Sequence, residues 1–332
     1  MKFNSIFITG GAGYCGSRLV PFLLSKGMKV TVFDLFFFGN YLPKDNKNLF
    51  LIKGDIRDIK KIRQESKNHD IFLNLACISN DASFELDEKL STSINLDAFE
   101  PMVIAAKENG IKKFIYASSS SVYGISEKKN VTEDHELVPV TLYNKYKGMC
   151  EPYLLNNTDN NFIGTIFRPA TVCGYAPRMR LDLSVNILTT HAIVKNKILV
   201  FGGNQLRPNL HVQDYCDAVF ELINAEDKKI KNQIFNIGYE NLSIINIAKL
   251  VKKIVEKEFK KEISIEVQDS NDNRSYHINS DKIFNVLGFK PNKNLEFAIK
   301  ELCQKFKENK IVNPFSDDRF YNVKTLKKIN AQ

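Results

Sequence analysis

The stretch "FNSIFITGGAGYCG", residues 3–16, decides the fold. Its first half is a short apolar run of the kind a buried strand needs. Its second half places Gly10, Gly13 and Gly16 at G-x-x-G-x-x-G spacing, and "YCGSRLVPFLLSKG" continues as a helix closed by Gly27. A strand, a glycine turn and a helix in that order present unpaired backbone amides to a pyrophosphate, which glycine lets the chain approach closely. The spacing predicts a dinucleotide loop built from Gly10, Gly13, Tyr14, Cys15 and Gly16.

Working outward, "KVTVFDL", "LFLIKGD" and "DIFLNLA" read as three more strands, with amphipathic helices between them. A helical reach from about 91 to 109 leads to "KKFIYAS" as a fifth strand, and a helix begins near Thr141. "FIGTIFRPATVCG" reads as a sixth strand running into a loop; "KILVFG", "NLHVQD" and "IFNIG" are strand-like, and helices return at 243–258 and 295–309. This alternation predicts an α/β chain with a doubly wound parallel sheet of Rossmann type and a smaller mixed α/β C-terminal part. The expected division is a dinucleotide-binding domain over 1–169, rejoined by about 205–240, and a substrate-binding domain over 170–332.

Asp34 ends the second strand, twenty-four residues after Gly10. A carboxylate there accepts hydrogen bonds from both ribose hydroxyls and repels a 2′-phosphate, so the expected cofactor is NAD rather than NADP. In "GDIRD", Asp55 and Ile56 end the third strand near the place of the adenine, and Leu75, Ala76 and Cys77 border the same groove after the fourth.

The composition is that of a protein with a real core: 43% of the 332 residues are hydrophobic and 26% charged. No apolar run reaches the roughly 20 residues that span a bilayer, and the N-terminus breaks into glycine too soon for a signal peptide, so a cytoplasmic, membrane-free protein is expected. The net charge of +9 comes mostly from dispersed lysine, as in "LVKKIVEKEFKKE" (250–262), where it forms the solvated face of an amphipathic helix. It therefore does not point to nucleic acid. Six scattered cysteines without C-x-x-C pairs or histidine clusters predict reduced, packed thiols and no metal, with Cys150 the one thiol placed near enough to the site to be reactive.

Four serines, 118–121, follow the fifth strand at the sheet edge where ligands bind in such folds. Downstream, Tyr143 and Lys147 in "TLYNKYKGMC" form Y-x-x-x-K and share one helix face one turn apart. A tyrosine ionises near 10, so using it as a base near neutrality requires lowering that value, each unit being worth about 1.4 kcal/mol. The Lys147 ammonium and a positive nicotinamide are the expected sources.

Through "ITGGAGYCG", "GDIRD", "YASSSSVYG", "YNKYK", "FRPATVCG", "NLHVQD" and "IFNIG" the chain resembles, over nearly its whole length, the extended short-chain dehydrogenase/reductase family, and within it the sugar-nucleotide epimerase and dehydratase branch. The resemblance implies a nucleoside-diphosphate sugar as substrate and a homodimer formed through helices like 91–109 and 141–156. It makes Ser119 the catalytic serine beside Tyr143 and Lys147, with Ser118 and Ser120 shaping the pocket. It also implies Arg207 and Arg274 as ligands of the substrate diphosphate, a bidentate task that suits arginine, and Asn186 as a further substrate contact. Dehydratases of this branch carry Asp-Glu directly after the catalytic serine; here stand Ser120 and Ser121, so the implied reaction is 4-epimerisation through a transient 4-keto sugar, in bacterial surface-polysaccharide metabolism. Two alternatives stay open. "YAPRMRLDLSVN" (175–186), with Arg178 and Arg180 as substrate ligands, is similar to GDP-heptose 4-dehydrogenases that release a keto sugar; and a redox-inert, nucleotide-sensing or RNA-binding relative would share the basic charge.

Overall fold

The structure, a computed structural model, describes residues 3–128, 130–270 and 275–329. Its strands are β1 (Ser5–Thr9), β2 (Lys29–Asp34), β3 (Leu49–Lys53), β4 (Ile71–Asn74), β5 (Lys113–Ala117), β6 (Ile163–Pro169), β7 (Thr171–Cys173), β8 (Lys197–Phe201), β9 (Leu206–His211), β10 (Gln233–Ile237), β11 (Glu240–Ser243) and β12 (Ser264–Gln268). Seven of these form one parallel sheet in the order β10-β6-β5-β4-β1-β2-β3. The chain moves outward from β1 in both directions, so the loop after β1 lies at the topological switch point where ligands bind.

Strand side chains alternate between two buried layers, which is why these runs are apolar throughout. Ile6, Ile8, Val30 and Val32 face the helices Tyr14–Ser25 and Val212–Asn224, whereas Phe7, Phe33, Phe72 and Phe114 face the helices Phe99–Glu108 and Leu142–Asn157. The Phe72 and Phe114 rings stack at 4.8 Å between centroids. A separate cluster joins β8 and β12 to the helices Ser184–Lys195, Ile244–Phe259 and Leu295–Lys307.

Three local readings need correction. The loop expected after β6 contains a strand, β7, which pairs with β9 outside the main sheet. "NLHVQD" is strand only as far as His211; from Val212 the chain is helix, because His211 Nδ1 accepts the Gln213 amide at 3.1 Å and caps it. The reach at 91–109 is also interrupted, with Ser93–Asp97 wound as a π-helical turn before the helix Phe99–Glu108.

Candidate active site

The loop after β1 is tight because glycine permits it. Gly10 has φ +74°, and a Cβ on it would lie 2.6 Å from the Ala76 backbone. A Cβ on Gly16 would strike the Gly11 carbonyl. The helix Tyr14–Ser25 then starts from Gly13 with no side-chain cap and no acidic residue in its first turn, leaving amides and positive dipole facing the cleft.

That cleft, of about 470 Å³, runs along the carboxyl ends of β1, β2, β4 and β5. One end is lined by Asp34, Asp55 and Ile56, the middle by Gly10, Gly13, Tyr14, Cys15, Gly16, Leu75 and Ala76, and the far end by Ser119, Ser120, Tyr143 and Lys147. Asp34 Oδ2 accepts the Ala12 amide at 2.9 Å and Oδ1 the Phe36 amide at 2.8 Å. Burial pushes its carboxyl up on balance, with these two amides opposing the rise. Asp55 is engaged by Arg57, whose guanidinium lowers its carboxyl against the effect of burial, so it shapes the wall through a fixed ion pair.

Tyr143 and Lys147 share one face of the helix Leu142–Asn157, which Thr141 caps through the Asn144 amide. The Lys147 ammonium is buried and donates to the Ala117 carbonyl at 2.8 Å, above the Tyr116 ring. Burial pushes the Tyr143 hydroxyl well above the ordinary tyrosine value; Cys77 and Asp81 add to the rise and Arg180 opposes it. The expected lowering was assigned to Lys147 together with a positive nicotinamide; in the chain itself burial is the largest influence on this tyrosine. Ser119 lies in a hydroxyl chain: its Oγ is 2.7 Å from Ser121 Oγ, which donates to Asn144 Oδ1 at 2.5 Å. Since the amide oxygen only accepts, Ser121 donates to it and Ser119 donates to Ser121; Ser119 Oγ in turn accepts the Ser121 amide at 3.2 Å, which leaves it one lone pair for a further donor.

Some expected site residues fall elsewhere. Asn186 is fully buried and does not reach the cleft: Oδ1 accepts the Gly174 amide at 3.0 Å, and Nδ2 donates to Arg180 O at 2.9 Å and Tyr14 Oη at 3.2 Å. It fixes the loop around Arg180 and has no donor left for substrate. Cys150 is buried with its thiol pushed up to about 12 by desolvation, donating to Asn95 O, so it is not a reactive thiol. Arg207 lines the cleft and sits 5.2 Å from the Tyr276 ring, while Arg274 lies outside the described residues. The sequence reading missed Ser79, Asp81, Asn144, Asp182 and Asn322, all of which line the cleft. Ser79 and Asp81 follow β4 at the ligand edge and Asn144 adjoins Tyr143, so position alone offered a signal; Asn322, near the C-terminus, gave none.

The model of the NAD dependent epimerase/dehydratase family matches residues 6–238. The chain belongs to that family. Its cofactor is NAD, and the glycine loop, the carboxylate of Asp34 at the end of β2 and the continuous groove fit that group. The chain is 28% identical to a UDP-glucose 4-epimerase of Lactobacillus helveticus, over 75% of this chain and 82% of that one. It is 30% identical to a UDP-N-acetyl-alpha-D-glucosaminuronate decarboxylase of Bacillus cytotoxicus, over 91% and 97%. In fold it is similar to a UDP-N-acetylglucosamine 4-epimerase from Methanobrevibacter ruminantium M1, solved with UDP-N-acetylmuramic acid, at a TM-score of 0.81 and 24% identity over 93% of this chain and 100% of that one. The chain is thus an enzyme of a family that acts on sugar nucleotides. Among the described residues, no helix is long and apolar enough to cross a membrane.

Proposed function

We propose that the chain is a 4-epimerase of a nucleoside-diphosphate sugar, with Tyr143 as acid and base, Lys147 as cofactor-ribose ligand and Ser119 as the partner of the reacting oxygen. The observation that carries this reading is the set of groups beside Ser119. Ser120 and Ser121 are buried and neutral there, and the hydroxyl chain ends on the neutral Asn144, where elimination of water would need an acid and a base. A reaction that only moves hydride off carbon 4 and back fits this arrangement.

NAD, when bound in the groove, supplies the hydride acceptor and a positive ring beside Tyr143. The remaining work falls to the chain. Tyr143 removes the proton of the 4-hydroxyl as a phenolate and returns it after the sugar has turned. Its buried phenolate is stabilised by the nearby Arg180 guanidinium, and each unit of lowering is worth about 1.4 kcal/mol. Ser119, which lines the cleft and keeps one lone pair beside the Ser121 amide, receives the substrate hydroxyl in the ground state. Lys147, anchored on Ala117 O, keeps further N–H donors for the ribose. Arg207 and Tyr276 form the wall for the substrate diphosphate. The dimer implied by the helices is part of this proposal.

The test is to incubate the protein with UDP-, GDP-, CDP- and dTDP-sugars, reading product stereochemistry by NMR and absorbance in the NADH band. An inverted sugar with no lasting NADH supports the epimerase, and Tyr143→Phe should abolish the inversion. Accumulating NADH with a keto sugar replaces this reading by the 4-dehydrogenase one, and Tyr143→Phe at full turnover removes the catalytic assignment.

A further inference from the structure

The segment 175–183, between β7 and the helix Ser184–Lys195, crosses the mouth of the cleft beside the glycine loop. It is tied there at two points: Tyr14 Oη donates to Gly174 O at 2.6 Å, and the Arg178 amide donates to Ser17 Oγ at 3.0 Å. Both anchors belong to the first turn or so of the helix Tyr14–Ser25. The segment thereby carries two guanidiniums into the groove, where Arg178 and Arg180 are 2% and 7% exposed and line the cavity.

Their partners do not satisfy them. Arg178 donates through Nη2 to Asn322 Oδ1 at 2.6 Å and lies 4.0 Å from the Phe38 ring, but its Nε has no partner. Arg180 donates through Nε to Asp182 Oδ1 at 2.8 Å and through Nη1 to Ser79 Oγ at 3.1 Å, but its Nη2 has no partner. Asp182 is the carboxylate that holds this pair, and its Oδ2 is taken by the Asn322 amide at 3.1 Å. Two buried cations beside one paired carboxylate, with donors left over, call for a further anion. Burial and then the Arg180 charge push the Arg178 guanidinium down to about 9, whereas on Arg180, against burial, Asp182 holds the guanidinium up.

The positions say which anion. Phe38 follows β2 and its ribose acid Asp34, whose charge reaches Arg178; Ser79 follows β4, and the Arg180 charge reaches Tyr143. The two guanidiniums therefore stand in order between the adenosine end and the nicotinamide end of the groove, on a segment tied to the first turns of the uncapped helix. A dinucleotide carries its only anionic group, the diphosphate, between those ends. We infer that Arg178 and Arg180 are ligands of the cofactor diphosphate, which they hold together with the neighbouring glycine loop, rather than ligands of the substrate. Asn322 and Asp182 are positioning residues for this clamp, so the far C-terminal helix Asn322–Ile329 takes part in holding the cofactor. The inference rests on the family's NAD cofactor and not on the choice between epimerisation and release of a keto sugar.

Cofactor and substrate both contain a diphosphate, and two probes separate them: ADP-ribose for the cofactor side and UDP for the substrate side, each titrated by calorimetry into wild type, Arg178→Met and Arg180→Met. Cofactor retained through purification is measured on the same samples after denaturation. Loss of a charge-assisted hydrogen-bond pair predicts ADP-ribose affinity lower by about 10–100-fold, less retained NAD, and UDP affinity within about twofold of wild type. Should a methionine variant fail to fold, Arg178→Lys and Arg180→Lys keep the charge but lose the planar fork, and about a tenfold selective loss of ADP-ribose affinity is expected. A loss that falls on UDP and spares ADP-ribose, or no loss on either, overturns the inference alone. A wild-type chain that binds neither NAD nor ADP-ribose overturns it together with the cofactor assignment beneath it.

Discussion

Beneath the serine run lies a buried ion pair whose removal has a calculable cost. Arg168 donates to Glu151 through Nε at 2.9 Å and Nη2 at 2.5 Å, and through Nη1 to Tyr123 Oη at 2.6 Å and Glu133 O at 3.1 Å. Ser118 Oγ donates to the same carboxylate at 2.6 Å, so the pair ties β6 and the helix Leu142–Asn157 to the start of the serine run 118–121. Side chains of both partners are 3–4% exposed. Replacing Arg168 by Met leaves the Glu151 carboxylate buried with a single hydroxyl donor, which costs about 3–5 kcal/mol. Unfolding entropy near 2.1 cal/mol/K per residue gives roughly 0.7 kcal/mol/K for a chain of 332 residues, so the melting temperature should fall by about 4–7 °C. The double variant Arg168→Met/Glu151→Leu removes the stranded charge and should recover most of that loss, to within about 1–2 kcal/mol of wild type. Calorimetric melts of the three proteins, with reversibility checked, test this. A single variant that melts within 1–2 °C of wild type, or a double variant no better than the single, would refute the reasoning that the charge, not the packing, sets the cost.

Two further predictions follow from the same kind of bookkeeping. Ser121→Ala removes the acceptor that holds the Ser119 hydroxyl away from the cleft, and a net hydrogen bond of about 1 kcal/mol predicts a kcat lower by roughly fivefold with little change in KM; an unchanged kcat would remove the hydroxyl chain from the mechanism. Burial pushes the Glu301 carboxyl up, but the His211 Nε2 donor at 2.9 Å, the Tyr175 amide at 2.8 Å and the Arg18 charge outweigh it and hold the group below the usual glutamate range. A depressed folded value stabilises the fold above the unfolded value of about 4.3, and that stability is lost as pH falls through the folded value. Glu301→Gln should accordingly melt below wild type at neutral pH and converge with it in acid; a gap that widens in acid would reverse the sign.

The fold was legible because parallel strands buried on both faces are apolar throughout, and because a glycine turn between strand and helix leaves a mark in a handful of adjacent residues. The places of Asp34, Tyr143 and Lys147 along the cleft were legible for the same reason, since each stands at a fixed offset from a strand end or within one helical turn. Sequence alone thus determined the doubly wound sheet, the dinucleotide loop and the family. Distance in the chain hid the rest. Asn186 looked like a substrate ligand until its three hydrogen bonds proved to be spent on Gly174, Arg180 and Tyr14. Asn322 carries no motif, yet it meets Arg178 and Ser79 across 144 and 243 residues. Only the tertiary structure decided that Arg178 and Arg180 border the glycine loop, and that burial pushes the Tyr143 hydroxyl up while the Arg180 charge opposes the rise. Burial and the field of neighbouring charges are properties of packed space, which residues far apart in the chain create together and no local spacing records.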